Sequence, residues 1–389
     1  MPKIYFDHSA TTPLDQWVFE AMKPYFTKDY GNASSMHSFG QIAAKAIDQS
    51  RLSIAKFLNC LPEEVIFTSG ATEADNIALQ GIVKASKINN PHIVTTQIEH
   101  PAILEVCRDL EKQGVGVTYV PVTKKGIVKV NDIKRAIKPN TILISVMYVN
   151  NEVGTIQPIS EIGKLVDQLN TKRKNRIYFH TDAVQAVNYC EMNVNKLGVD
   201  LLSISGHKIY GPKGVGVLYI KKNIKLKPIE YGGHHELGIR PGTYNVVGIV
   251  GLGRAIELVK VGKKNNQKIK KLRDYLIKEI SKKIPNTKVN GDIKNRVASN
   301  VNFSFKNAEG ESVMLMLDME GFAVSTGSAC SSGSLEPSHV LTSMQIPNDL
   351  AHGSLRITLG KQNTKNEVDR LIRILPKIIQ RLRQMSPIK

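Results

Sequence analysis

The chain has 389 residues, 41% of them hydrophobic and 22% charged, which suits a globular protein of two or three domains at about 100–200 residues each. No apolar run approaches the roughly 20 residues of a membrane span, and no basic stretch followed by an apolar one marks a secretory signal, so a cytoplasmic protein is expected. The net charge of +19 admits a polyanionic partner, whereas four dispersed cysteines, Cys60, Cys107, Cys190 and Cys330, argue against a zinc ribbon or a disulfide framework.

From about residue 60 to 220 short β-rich runs alternate with amphipathic helical stretches. Strands are predicted at Glu64–Thr68, His92–Thr96, Val115–Val120, Thr141–Tyr148, Arg176–His180, Asp200–Ser205 and Gly216–Ile220, with helices such as Ile77–Lys84, Ala102–Gln113 and Ile159–Leu169 between them. Strands apolar on both faces and alternating with helices predict a doubly wound, mostly parallel α/β sheet. The last strand follows a Gly-Pro-Lys-Gly turn and could run antiparallel. After residue 260 a lysine-rich stretch keeps Ile269, Leu272, Leu276, Ile277 and Ile280 at helical spacing. With one aromatic, Tyr275, it reads as a helix with a solvated lysine face rather than a nucleic-acid site. Strands at Ala298–Phe305 and Gly353–Leu359 and helices at Gly310–Met319 and Asn366–Met385 then suggest a smaller α+β domain.

Ligands of such sheets bind beyond the carboxyl ends of the strands. The first strand runs into Ser-Gly-Ala71-Thr72-Glu-Ala-Asp-Asn, which reads as an anion site at a helix N-terminus or as a plain helix cap. His100 follows the second strand, Asp182 the fifth, and Lys208 the sixth. Singly, His100 reads as structural, Lys208 as a loop lysine or a desolvated Schiff-base lysine, and Asp182 as a carboxylate in need of a cationic partner. Together they offer a phosphate cradle, an amine, an acid and a flat ring on one sheet edge, the set that pyridoxal phosphate requires. Cys330 stands apart, in the small-residue stretch STGSACSSGS at 325–334. Its composition favours neither helix nor strand, and its thiol reads as a bystander or as a nucleophile on a tether.

The runs YFDHSATTPLD, SGATEADN, IEHPAI, YVNNEVGTIQPI, HTDAVQ, SGHKIYGPKGVG, RPGTYN, STGSACSS and AHGSLRITLG, in this order, closely resemble the NifS/IscS-type cysteine desulfurases of the class V aminotransferase group, fold-type I pyridoxal-phosphate enzymes. The resemblance runs nearly end to end. It implies a large domain over 15–260 with a seven-stranded sheet. It also implies a small domain made of 1–14 and 261–389, with the cysteine loop at about 323–338. Lys208 corresponds to the lysine that holds the cofactor and moves the Cα proton, Asp182 to the partner of the pyridine nitrogen, and Gln185 to that of the phenolic oxygen. His100 corresponds to the histidine stacked on the ring, while Thr72, Ser205, His207 and the backbone at Ala71 correspond to phosphate ligands. Thr243 matches a phosphate ligand supplied by a second subunit, hence a homodimer. Asn151, also beside the cofactor, and Arg356 match residues binding the carboxylate of L-cysteine, and Cys330 matches the nucleophile that carries persulfide sulfur to an iron–sulfur scaffold or a tRNA-thiolation relay. No resident metal is implied, Cys330 serving at most as a passing ligand of cluster iron. The chain departs from the family's usual pattern at Ala33, where proline often follows Gly-Asn, and at His234 and Leu237, where a glycine and an arginine are usual.

Overall fold

The computed structural model describes residues 3–261, 263–326 and 337–385. Cys330 lies outside the described residues. Twelve strands are described: β1 Ile4–Tyr5, β2 Val65–Thr68, β3 His92–Thr96, β4 Gly116–Val120, β5 Thr141–Ser145, β6 Tyr178–Asp182, β7 Leu201–Ser205, β8 Gly216–Ile220, β9 Thr287–Asn290, β10 Asn300–Phe305, β11 Phe322–Ala323 and β12 Ser354–Thr358. The seven strands β2 to β8 make one sheet in the order β2-β8-β7-β6-β5-β3-β4. All its pairs are parallel except those of β8, which runs antiparallel to both β2 and β7. Alternate residues of each strand enter cores on opposite faces. Ile66, Ile93, Leu143, Leu201 and Leu218 join one cluster. Phe67, Val94, Ile144, Phe179, Leu202 and Val217 join the other.

The expected strands all form, His92–Thr96 and Gly216–Ile220 with the expected bounds and the others with shifted ends. β6 begins two residues late and runs on to Asp182, so the aspartate is the strand's last residue rather than part of the following loop. The helix expected from Ile77 starts at Ala71, because Gly70 is already its N-cap and the small residues after it fill its first turn. Short β1, β9 and β11 escape periodicity analysis, as two to four residues are too few to display a period.

A second core joins Ile4 and Phe6 to β10, β12 and two long helices, Lys263–Lys283 and Lys365–Met385. The lysine-rich helix buries Ile269, Leu272, Leu276 and Ile280 there, whereas the preceding helix Val246–Val261 buries Ile249, Leu252 and Ile256 in the large-sheet core. The chain thus changes cores between these helices. Val340, Leu341, Met344 and Ala351 return to the large-sheet core although their neighbours in sequence serve the small one. Among the described residues no helix is long and apolar enough to cross a membrane, and no group of His, Cys, Asp or Glu could hold a metal ion.

Candidate active site

At the carboxyl ends of β5, β6 and β7 the chain encloses a cleft of about 890 Å3. Ten of the residues picked out in the sequence line it: Ala71, Thr72, His100, Asn151, Asp182, Gln185, Ser205, His207, Lys208 and Arg356. Thr243 is exposed and is not among the lining residues.

One end is built for an anion. Helix Ala71–Ala85 points its N-terminus into the cleft, with no side chain capping its first amides. Unpaired N–H groups and the helix dipole favour negative charge there. The strand beside it comes so close that a Cβ on Gly216 would lie 2.7 Å from Gly70 Cα. His207 completes this end, its Nδ1 being 3.1 Å from Thr11 Oγ1. Burial, helped by the charges of Lys208 and Lys213, holds the ring down to about 4, so at neutral pH it is an uncharged hydrogen-bonding group.

In the middle, Lys208 ends the 3-10 turn Gly206–Lys208 that follows β7. Its Nζ donates to the Ser9 and Ala10 carbonyls at 2.6 and 2.7 Å, and Gln185 Nε2 donates to the same Ser9 carbonyl at 3.0 Å. Asp182 is buried, with Oδ1 accepting the Val184 N–H at 2.9 Å. Burial raises its pKa against the lowering pull of His100 and Lys208. His100 caps helix Pro101–Lys112 by accepting the Ala102 N–H on Nδ1, which leaves the proton of its neutral ring on Nε2. Burial and the Lys208 charge lower its pKa, with Asp182 opposing.

The far end carries Arg356 on β12. It is 3% exposed, with NH2 on Asp7 Oδ1 at 2.9 Å and NH1 on the Asn151 carbonyl at 3.2 Å. Its Nε has no hydrogen-bond partner, a buried donor suited to a carboxylate oxygen. The same residue exchanges two backbone hydrogen bonds with Ser325 at 3.1 and 2.7 Å, so the stretch that holds Cys330 departs from beside it.

Sequence reasoning missed three buried acids. Glu99 accepts from Thr96 Oγ1 and from the Met147 N–H, yet burial pushes it up to about 8. Asp75, wholly buried beside His180, is raised chiefly by burial and by Asp182. Glu152 is pushed up by burial to about 7, with Ser338 and Arg356 pulling it down. All three stand inside recognised motifs, but no local pattern distinguishes an acid that will be buried. The residues at the unusual positions form a pinned loop. Glu236 holds Arg51 in a bidentate pair and accepts the Phe67 N–H at 2.7 Å. The following Leu237 takes a left-handed φ of 58° and is 70% exposed.

An anion cradle, a lysine amine, a buried aspartate and an arginine with a free donor in one cleft suit pyridoxal phosphate bearing an amino-acid substrate. Residues 4–371 match the family "Aminotransferase class-V", and the chain belongs to that family, whose cofactor is pyridoxal phosphate. It is 50% identical to the cysteine desulfurase IscS of Dictyoglomus turgidum, over 100% of this chain and 97% of that protein. Among solved structures it is similar to a NifS-like protein (TM-score 0.90, 34% identity, 97% of this chain and 99% of that one). It is also similar to SspA in complex with cysteine (TM-score 0.81, 35% identity, 92% and 99%). Within the family the chain belongs to the cysteine desulfurases.

Proposed function

We propose that this desulfurase converts L-cysteine to L-alanine with Lys208, His100 and Cys330 as its reacting groups, and that it passes the sulfur as a persulfide to an iron–sulfur scaffold or a tRNA-thiolation relay. The observation that carries this is the meeting of Lys208 Nζ, Asp182 and the partnerless Arg356 Nε in one cleft. The phosphate would rest on the first amides of helix Ala71–Ala85 with Thr72, Ser205 and His207, and the pyridine nitrogen on Asp182, with Gln185 at the phenolic oxygen and His100 against the ring. When bound, the cofactor supplies the electron sink for the pair left at Cα.

Arg356 and Asn151 bind the substrate carboxylate, which sets the Cα–H toward Lys208. The lysine, free of its hold on Ser9 and Ala10, takes that proton. Cys330, as thiolate, attacks the substrate sulfur. The new S–S bond forms as the Cβ–S bond breaks, the electron pair goes to Cβ, and protonation there gives the methyl of alanine. His100, neutral with its proton on Nε2, serves the substrate's protons in this step. Thr243, exposed on its own chain, would complete the phosphate site of a second copy, which makes the working form a homodimer. The two cores support a large domain over 15–260 and a small one from both termini, and the absence of a spanning helix among the described residues accords with a cytoplasmic enzyme.

The test is product analysis of the purified protein. Equal amounts of alanine and persulfide from cysteine are expected, without exchange against an oxo acid. Cys330→Ala should stop persulfide transfer, and Lys208→Ala should remove the visible absorbance of lysine-linked cofactor and slow turnover by roughly 10^2–10^4-fold. Wild-type sulfur release from Cys330→Ala would refute the nucleophile assignment.

A further inference from the structure

Two acid–arginine pairs bracket the turn that opens the anion end. Between β2 and helix Ala71–Ala85 the chain passes through Ser69 and Gly70. On the strand side a loop supplies the acid: Glu236 accepts the Phe67 N–H at 2.7 Å and two bonds from Arg51. On the helix side the same loop supplies the arginine. Arg240 Nε donates to Glu73 Oε1 at 2.9 Å, and the Ser69 N–H donates to Glu73 Oε2. Left-handed backbone at Glu236, Leu237 and Gly238 folds the loop so that it grips both sides of the turn.

Glu73 is the acid in the helix's first turn, and it lines the cleft, whereas Arg240 is not among the lining residues. Burial pushes the Glu73 carboxyl up, but the Ser69 N–H and Arg240 outweigh burial and hold it below its ordinary range, so it is ionised at neutral pH. That charge creates a conflict. The first turn of a helix favours any anion, so a carboxylate there stands against a phosphate drawn to the same amides. The two side chains are 16% and 26% exposed, too dry for water to screen the repulsion fully. Arg240 resolves the conflict by taking one oxygen of Glu73 while the Ser69 N–H takes the other, and the pair carries no net charge. In the stretch 232–243 Arg240 is the only lysine or arginine, so no neighbour on the loop supplies a second cation.

We propose that Arg240 is a positioning residue for the cofactor's phosphate, acting through Glu73, whose carboxylate it neutralises and holds aside in the first turn of the anion-binding helix. This rests on the reading that the phosphate sits at that helix end. Arg240 thus sets affinity through the cofactor's charge rather than through its ring.

The test strips cofactor from the holoenzyme and titrates it back, following the visible absorbance of the lysine-linked form. Pyridoxal phosphate is compared with pyridoxal, which lacks the phosphate. Arg240→Gln should raise the Kd for pyridoxal phosphate by about tenfold, the scale of one uncompensated charge at a partly screened site. The Kd for pyridoxal should change little. Arg240→Lys keeps the charge and should retain most of the affinity. Glu73→Gln keeps an acceptor for the Ser69 N–H and should bind pyridoxal phosphate at least as tightly as the wild type. Adding Glu73→Gln to Arg240→Gln should restore affinity, because both changes act on one charge. A mere tether between loop and helix would behave otherwise, with both single variants and the double weakened, and for both ligands alike. That pattern would overturn the proposal, as would an unchanged Kd in Arg240→Gln. If Arg240→Gln does not fold, Glu73→Gln alone decides, since relief of charge and loss of a tether move its Kd in opposite directions. Thr72→Val probes the underlying reading. If its Kd for pyridoxal phosphate matches the wild type, the phosphate lies elsewhere and the inference falls with that reading. A weakened Thr72→Val beside an unaffected Arg240→Gln refutes this inference alone.

Discussion

Arg356 combines rigidity with an unused donor. Its two terminal nitrogens are held by Asp7 and the Asn151 carbonyl, which fixes the plane of the guanidinium, while Nε is buried without a partner. A lysine would keep the charge but could not hold Asp7 and face a carboxylate in one plane. Arg356→Lys is therefore expected to weaken cysteine binding by about 1.5–3 kcal/mol, a roughly ten- to hundredfold rise in KM. The visible absorbance of the cofactor should stay normal, because Lys208 lies elsewhere in the cleft. Steady-state kinetics with a spectrum of the same sample checks both. Lys208 is also held in advance, its amine donating to two main-chain carbonyls.

At the scale of elements, the phosphate end depends on how closely β8 approaches the start of helix Ala71–Ala85. A methyl on Gly216 would push against Gly70 main chain, which has no rotamer to change. Gly216→Ala should destabilise the apoenzyme by about 1–3 kcal/mol and loosen pyridoxal phosphate, read by chemical denaturation and by cofactor titration. The strands behind this geometry were legible in the sequence because they carry short β-branched and aliphatic runs that suit burial on both faces, as Ile142–Ile144 and Leu201–Leu202 do. The strand ends were legible too, since Ala71, Thr72 and Lys208 follow those runs within a few residues and Asp182 closes its own strand. Glu152 was not. Its burial arises from Asn300 and Asn302, about 150 residues away, and no periodicity in YVNNEVG announces a partner at that separation. Likewise, the return of Val340 and Leu341 to the large-sheet core depends on which cavity the chain meets after residue 336, which local spacing does not encode.

Across the whole molecule, buried titratable groups give the fold a pH dependence of definite sign. Burial above all holds His8, His92 and His207 down to about 4 and His180 to about 3. The unfolded chain gains protons at these residues below pH ~6.5. Their stabilisation is thus complete above ~6.5 and lost as the pH falls toward 4. Glu99 and Glu152 act in the opposite sense. The folded chain keeps their protons up to about 8 and about 7, while the unfolded chain releases them near ~4.3. Their contribution declines as pH rises from there. Burial also raises Asp75 and Asp182 and lowers His100 and His339, so between these limits six histidines outnumber four acids, and above ~6.5 the acids set the slope. The apoenzyme's thermal midpoint should therefore fall both below pH ~6 and between pH ~6.5 and 8. Glu99→Gln should flatten the alkaline fall, by up to about 1.4 kcal/mol per pH unit. A differential scanning series over pH measures this directly.

The backbone bridge between Ser325 and Arg356 sets a limit on reach. From 325 to 330 the chain advances five residues, and five residues fully extended cover no more than about 18 Å. Ser325 is tied to the strand that carries Arg356, so under the proposed role of Cys330 its sulfur hangs from a known anchor by a tether of limited length. A protein that collected the proposed persulfide would bring its own thiol or cluster within about that radius of Ser325. Its docking face would then lie on the side of the enzyme that carries Ser325, and lengthening the tether by a few residues would widen the set of geometries it could serve.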